Sequence, residues 1–455
     1  AGQSVSAVSG IVTYYGDGSQ LTGVESGVFN FTASGNIDNG DTVIVKADGT
    51  AGVVTSVTAG NVVGSQATFH SGSSASRMNQ IAYDSDTGKI IVAYCVGSSS
   101  GYAIVGSIDA SNNSIDFSGN GATSFNSAET EDIAVVSLGN QTNKFVVAYR
   151  DNGNSNHGYA RMGTISGTTI TFSQAYSFNT AGTTNQIRMA YDENAERIII
   201  TFRDYGDGYK GTAIVGSVNN SGTIQFGSKT VYNSAQSIGN TPVYDPDSQK
   251  IIIAYRDVGA SNSGRAIVGT VSGTSISFGS EAVFDATYAA DFQRIAYDTA
   301  NNKVVIGYKN TNGNGMAVVG TVSGTGISFG TPVAFDNSSG AKEQINTSYD
   351  PDTGKVLIAY QDNGGIGDGK IIEGTVSGTS ISFANKISIF NGGLANVCTA
   401  YDTSANRTAI AFVDTSANPN LGKAIVYQTQ AQSTNLTTEN YIGIAAEAIS
   451  NGATG

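Results

Sequence analysis

The chain has 455 residues, more than one hydrophobic core usually serves, with 58 Gly, 5 Pro, no Trp and only 13% charged residues. Its net charge of −13 argues against nucleic acid and anionic membranes as partners, and no apolar stretch approaches the roughly 20 residues of a membrane-spanning helix. Two Cys and two His, His70 and His157, give no basis for a disulfide framework or a histidine-built metal or catalytic centre.

Along the chain, "AGQSVSAVSG" lacks the basic and apolar regions of a signal peptide. Residues 1–60 then carry "GDTVIVKADGTAGVVTSV" at 40–57, and residues 431–455 carry "ENYIGIAAEAISNGATG" at 439–455. Both read as short β elements, with a helical turn open for 443–449. They are expected to form one discontinuous anchoring or oligomerisation domain, into which residues 61–430 are inserted.

That insert is repetitive. An aromatic residue ends an apolar run at Tyr94, Tyr149, Phe202, Tyr255, Tyr308, Tyr360 and Phe412, with spacings of 55, 53, 53, 53, 52 and 52 residues. Each copy reads as four strands. The first resembles "QRIAYD" (293–298) and is followed by a turn such as "DTGK". The second, of "KVLIAY" type, is apolar without alternation, the mark of burial on both faces. The third is "AIVGTVSG" (266–273), and the fourth "SISFG", continuing as in "TPVAF" (331–335). A period near 50 with four strands predicts an all-β fold, a seven-bladed β-propeller of four-stranded blades. A parallel β-helix is the competing reading, but its coils are shorter.

The seventh copy has strands at 396–402, 407–414 and 422–428 but no "SISFG". "NVVGSQATF" at 61–69 aligns with "ISFGTPVAF" at 327–335, placing Gly64 on Gly330 and Phe69 on Phe335. Residues 61–69 are therefore expected to be the outer strand of the last blade and to close the ring.

Candidate binding residues cluster where the second strand ends: Arg150-Asp151, Arg203-Asp204 with Tyr205, Arg256-Asp257, Lys309, Gln361-Asp362 and Asp414. Two readings stand side by side. They form a ligand-binding rim of charge, or the Asp residues cap the following loop with a basic partner nearby. The loops "DNGNSNHG", "DYGDGYKG" and "DNGGIGDG" are candidates for Ca²⁺; no other cofactor is expected. The Tyr-Asp pairs opening each first hairpin, such as Tyr349-Asp350, read as turn formers. Cys95 and Cys398 fall in neighbouring blades of a closed ring, as a disulfide or as two buried thiols.

No nucleophile with a base, metal cluster or phosphate loop is visible, and the Asp-rich repeats do not match the Asp boxes of sialidase propellers. The expectation is a non-enzyme; a glycosidase using two carboxylates from different blades is the catalytic alternative.

Four stretches, "AYRDVGASNSGRAIVGTVSGTSISFGS" (254–280), "YYGDGSQLTGV" (14–24), "GDTVIVKADGT" (40–50) and "LTTENYIGIAAEAISNGATG" (436–455), resemble a group of virion proteins of marine bacteriophages over nearly the whole length. The resemblance implies a tail fibre, spike or similar virion appendage, extracellular and homo-oligomeric, contacting other virion proteins and a cell-surface glycan or protein receptor. It supplies no catalytic residues. A bacterial surface adhesin or extracellular filament protein is the alternative.

Overall fold

The structure is a computed structural model; it describes residues 32–444 except 47, 55, 59, 73–75, 140, 288, 430–431 and 435–440. The phrase at 14–24 and residues 445–455 lie outside the described residues. Contacts divide the chain after Gly60 and after Thr429 into two compact units. No helix among the described residues is long and apolar enough to cross a membrane.

In the terminal unit, Thr42–Val45 pairs antiparallel with both Ala51–Val53 and Tyr441–Ile444. Ser56–Thr58 pairs with Gln432–Thr434. Described segments from before and after the large unit thus share sheets, and Ala33, Ile37 and Ala51 form a small buried cluster. Where a helical turn was open from residue 443, Tyr441–Ile444 is strand.

The large unit, Asn61–Thr429, is all-β and propeller-like, built of antiparallel sheets that follow the repeat. The sixth copy shows the plan. Lys342–Asp350, Lys355–Asp362, Asp368–Ser377 and Ser380–Phe383 pair in that order. Ile387–Phe390 also pairs with the third strand, so the expected fourth strand is two short strands in line. Between the third and fourth sheets, one 16-residue strand, Thr230–Asp245, serves both neighbours.

Burial explains the unbroken apolar second strands. Val356 to Tyr360 are all fully buried, but in two different layers. Val356, Ile358 and Tyr360 pack with Val305 and Val319 of the preceding sheet; Leu357 and Ala359 pack with Ile410 and Phe412 of the next. Each Val, Leu or Ile side chain among them contributes about 1.5–3 kcal/mol on burial, so alternation with polar residues would cost one whole layer. Cys95 and Cys398 also lie buried in separate layers, one between the first two sheets and the other between the last and the first.

The repeated aromatic residue packs against a ring from the preceding sheet every time. The pairs Phe125–Tyr149, Phe178–Phe202, Tyr232–Tyr255, Phe284–Tyr308, Phe335–Tyr360 and Phe390–Phe412 have centroids 4.9–5.4 Å apart. Phe69–Tyr94, at 5.2 Å, repeats the geometry between the N-terminal segment and the first sheet. Ala67–His70 and Val62–Val63 pair with Leu421–Gln428, the third strand of the last sheet. Leu394–Asp402 lies beside Ser76–Asp84, the first strand of the first sheet.

Two glycines in "GRAIVGTV" make room for this packing. A Cβ on Gly264 would fall 2.3 Å from a Phe284 ring carbon, and one on Gly269 would fall 2.7 Å from Ile276 Cδ1. Gly264→Ala is therefore expected to cost about 1–3 kcal/mol through overpacking. Urea unfolding should show a lower midpoint at unchanged m-value; an unchanged midpoint would mean that the ring moves aside freely.

Candidate functional site

The second-strand ends sort by chemistry. Asp204, Asp257, Asp362 and Asp414 each accept a backbone N–H two residues on, from Gly206 (3.1 Å), Gly259 (2.9 Å), Gly364 (3.2 Å) and Ser416 (3.0 Å). Each cap also meets a cation: Lys229 at 2.7 Å from Asp204, Arg265 at 3.4 Å from Asp257, and Lys423 at 2.8 Å from Asp414. Asp362 meets two, Lys342 at 3.0 Å and Lys386 at 3.1 Å. Asp151 makes no such cap, and its Oδ1 has no hydrogen-bond partner among the described residues.

Lys342 bears on the calcium expectation. Its side chain is fully buried, and its ammonium donates to the carbonyls of Ser338 (3.1 Å), Ser339 (3.3 Å) and Gly340 (2.6 Å) as well as to Asp362. Three carbonyls and a carboxylate thus enclose a cation that the chain itself supplies. The turn-forming Asp residues are engaged too: Asp350 accepts from the amides of Asp352 (3.0 Å) and Thr353 (3.2 Å).

Burial would raise the Asp336 carboxyl, but Lys386, Ser338 and the Tyr360 hydroxyl outweigh it and hold the group down at about 2. Asp362, likewise raised by burial, is held below the usual range chiefly by Lys342 and Lys386. A folded pKa below the unfolded value of about 3.9 contributes stability above pH 4, lost as pH falls through 2. Melting temperature is expected to drop between pH 4 and pH 2, with a shallower drop in Asp336→Asn. Equal slopes would contradict this.

The residues preceding the caps are mostly paired. Arg150 bonds Glu131, lies 3.2 Å from Asp132, and donates to Asn152 at 2.8 Å. Arg256 bonds Asp291. Lys309 lies 3.1 Å from Glu343 and 5.0 Å from the Phe292 ring centre. Gln361 stands in register with Glu343.

Arg203 differs. Its cross-strand neighbour is Asn185, whereas Glu131 faces Arg150 and Asp291 faces Lys309. Among the described residues it has no carboxylate partner and sits 4.7 Å from the Tyr209 ring centre and 5.4 Å from that of Tyr205. The two rings meet edge-on at 4.2 Å and 72°, each residue 39% exposed. Tyr209 holds a left-handed backbone, φ +66°, where sister loops place Asn156 (φ +60°) and Asn262 (φ +64°). Asn tolerates that region and Tyr does not, so the loop carries strain of about 1 kcal/mol or more.

The eleven residues therefore do not converge on one pocket. Four are turn caps, three are ion-paired, Arg203 with Tyr205 forms an exposed cation–aromatic cluster, and Asp151 and Gln361 belong to none of these groups. The sequence reading missed its third member, Tyr209; the signal was a Tyr in "DYGDGYKG" in register with Asn in "DNGNSNHG" and "DVGASNSG". It also missed a cavity of about 490 Å³ lined by first-strand residues of several sheets. There the first strands bulge, with Asp132, Gln186, Phe292, Gln344 and Asn396 at positive φ.

No protein-family model matches the chain, and no match to a curated protein was found. Solved structures do match in shape. A protein of unknown function from Dyadobacter fermentans aligns with 83% of this chain and 99% of its own, at 11% identity and TM-score 0.46. A K499G mutant of the NanB sialidase from Streptococcus pneumoniae aligns with 80% of this chain and 70% of its own, at 11% identity and TM-score 0.46. AofleA from Arthrobotrys oligospora aligns with 71% of this chain and 92% of its own, at 10% identity and TM-score 0.42.

Proposed function

We propose that the chain is a closed, seven-bladed propeller serving as a non-enzymatic recognition and attachment module of a bacteriophage appendage. Closure is supported by the pairing of residues 62–63 and 67–70 with the last sheet and by the Phe69–Tyr94 ring pair. Gly64 adds to this. A Cβ there would meet the Asn113 carbonyl of the first sheet at 1.7 Å, as one on Gly330 would meet that of Thr379 at 1.9 Å. The terminal unit serves as the anchoring and oligomerising part.

Recognition rests on one observation: the exposed Tyr205–Tyr209 pair held against Arg203 at a backbone cost. Flat aromatic faces stack on the C–H faces of sugars, and a guanidinium without a carboxylate hydrogen-bonds hydroxyl or acidic groups. The ligand is therefore a cell-surface glycan. Titration against a panel of bacterial surface polysaccharides should give saturable binding that Tyr205→Ala weakens about tenfold, the loss of roughly 1.4 kcal/mol. Binding to none of them would remove the glycan reading. Proteomics of purified particles separates the settings. Presence there supports a virion appendage; recovery only from cell surfaces or filaments replaces it with an adhesin.

A further inference from the structure

We infer that the axial cavity is an oxyanion site, built to take a carboxylate, sulfate or phosphate group between Arg188 and Arg294. These residues occupy equivalent positions of the third and fifth sheets, each two residues beyond a bulge residue at positive φ, Gln186 and Phe292. Both line the cavity of about 490 Å³.

The arginines are poorly compensated. Each donates one Nη1 hydrogen bond to a carbonyl of its own strand, Arg188 to Ile187 (2.7 Å) and Arg294 to Gln293 (2.8 Å). A guanidinium has five N–H donors, so most of each fork is unspent. Arg188 Nε is buried without a partner among the described residues. Among the described residues neither arginine has a carboxylate within ion-pair distance. Asp132 acts on Arg188 from further away and lies 3.2 Å from Arg150; Asp291, a carboxylate on the cavity wall, is bonded to Arg256. Lys309, also on the wall, is paired with Glu343. Burial and the neighbouring charge of Arg188 drive the Arg294 guanidinium well below its usual range.

The neutral wall is polarised the same way. Gln186 Oε1 accepts the Gly239 N–H at 3.0 Å, and Gln344 Oε1 accepts the Asn396 N–H at 3.3 Å. With their oxygens engaged by backbone, these side chains keep their NH₂ ends as donors. Two like charges and two amide donors around a cavity of this size favour one anionic group that bridges them.

The test is thermal melting and calorimetric titration of the full chain with sulfate, phosphate and glucuronate, against chloride at equal ionic strength. The expected result is a saturable stabilisation absent with chloride. Preference for sulfate or phosphate would identify a free inorganic ion, and preference for glucuronate an acidic sugar. Arg294→Gln should weaken binding at least tenfold while keeping or raising the melting temperature in chloride, because it relieves repulsion. Gln344→Glu supplies the carboxylate from within. It should raise the melting temperature in chloride and abolish the anion response. No saturable effect beyond chloride would overturn the inference, as would an undiminished response in Gln344→Glu or in folded Arg294→Gln.

Discussion

Deleting residues 61–69 is expected to destabilise the large unit more than any single substitution and to expose apolar surface that binds a hydrophobic dye. The deletion strips the pairing partners of Lys423, Ala424, Tyr427 and Gln428 and removes Phe69 from between Tyr94 and Phe117. Phe69 is buried, and truncation of such a ring alone costs about 3–5 kcal/mol through lost transfer energy and the cavity left behind. Phe69→Ala should therefore reproduce much of the loss. Thr68→Ala, exposed on the same strand, should change stability by less than about 0.5 kcal/mol. Equal stability of deletion and wild type by denaturant titration would refute closure through this segment.

Lys342→Met should give the largest loss among charged residues, about 3–5 kcal/mol, because it removes one partner of a buried pair. The ammonium is fully buried against three carbonyls and Asp362, and methionine offers none of the donors. Lys386→Ala, whose side chain is 36% exposed, should cost no more than about 1 kcal/mol although it touches the same Asp362. Double-mutant cycles of Lys342 with Asp362 should show a coupling of about 1–3 kcal/mol. A loss below 1 kcal/mol for Lys342→Met would show that water replaces the ammonium and that the loop can hold another cation.

What the sequence disclosed follows from burial. Second strands such as Val356–Tyr360 lie in two layers at once, so they must be apolar throughout, and their period was readable. Three of the four caps were readable because Asp with Gly two residues on, as at Asp204, Asp257 and Asp362, favours a turn, although Asp151 with Gly153 forms no cap and Asp414 caps Ser416 instead. The rest depended on tertiary placement. Lys342 stands in "GAKEQ", where a loop that varies from copy to copy enters the first strand, and nothing local distinguishes it from a solvated lysine. The bulges at Gln186, Phe292 and Gln344 put ordinary residues at positive φ, so no glycine marked them, and the cavity between the first strands stayed hidden. Even the split of the fourth strand at residues 384–386 left no sign in the continuous "SISFANKISIF".

Tyr209 separates a recognition role from a structural one, because Asn is the residue that its backbone conformation prefers. The deciding measurement is the dissociation constant of Tyr209→Asn for the surface polysaccharide that the wild-type chain binds, taken beside its melting temperature. Binding at least tenfold weaker, with a melting temperature equal to or above wild type, is the expected result. Unchanged binding in Tyr209→Asn would contradict recognition by the Arg203–Tyr205–Tyr209 cluster.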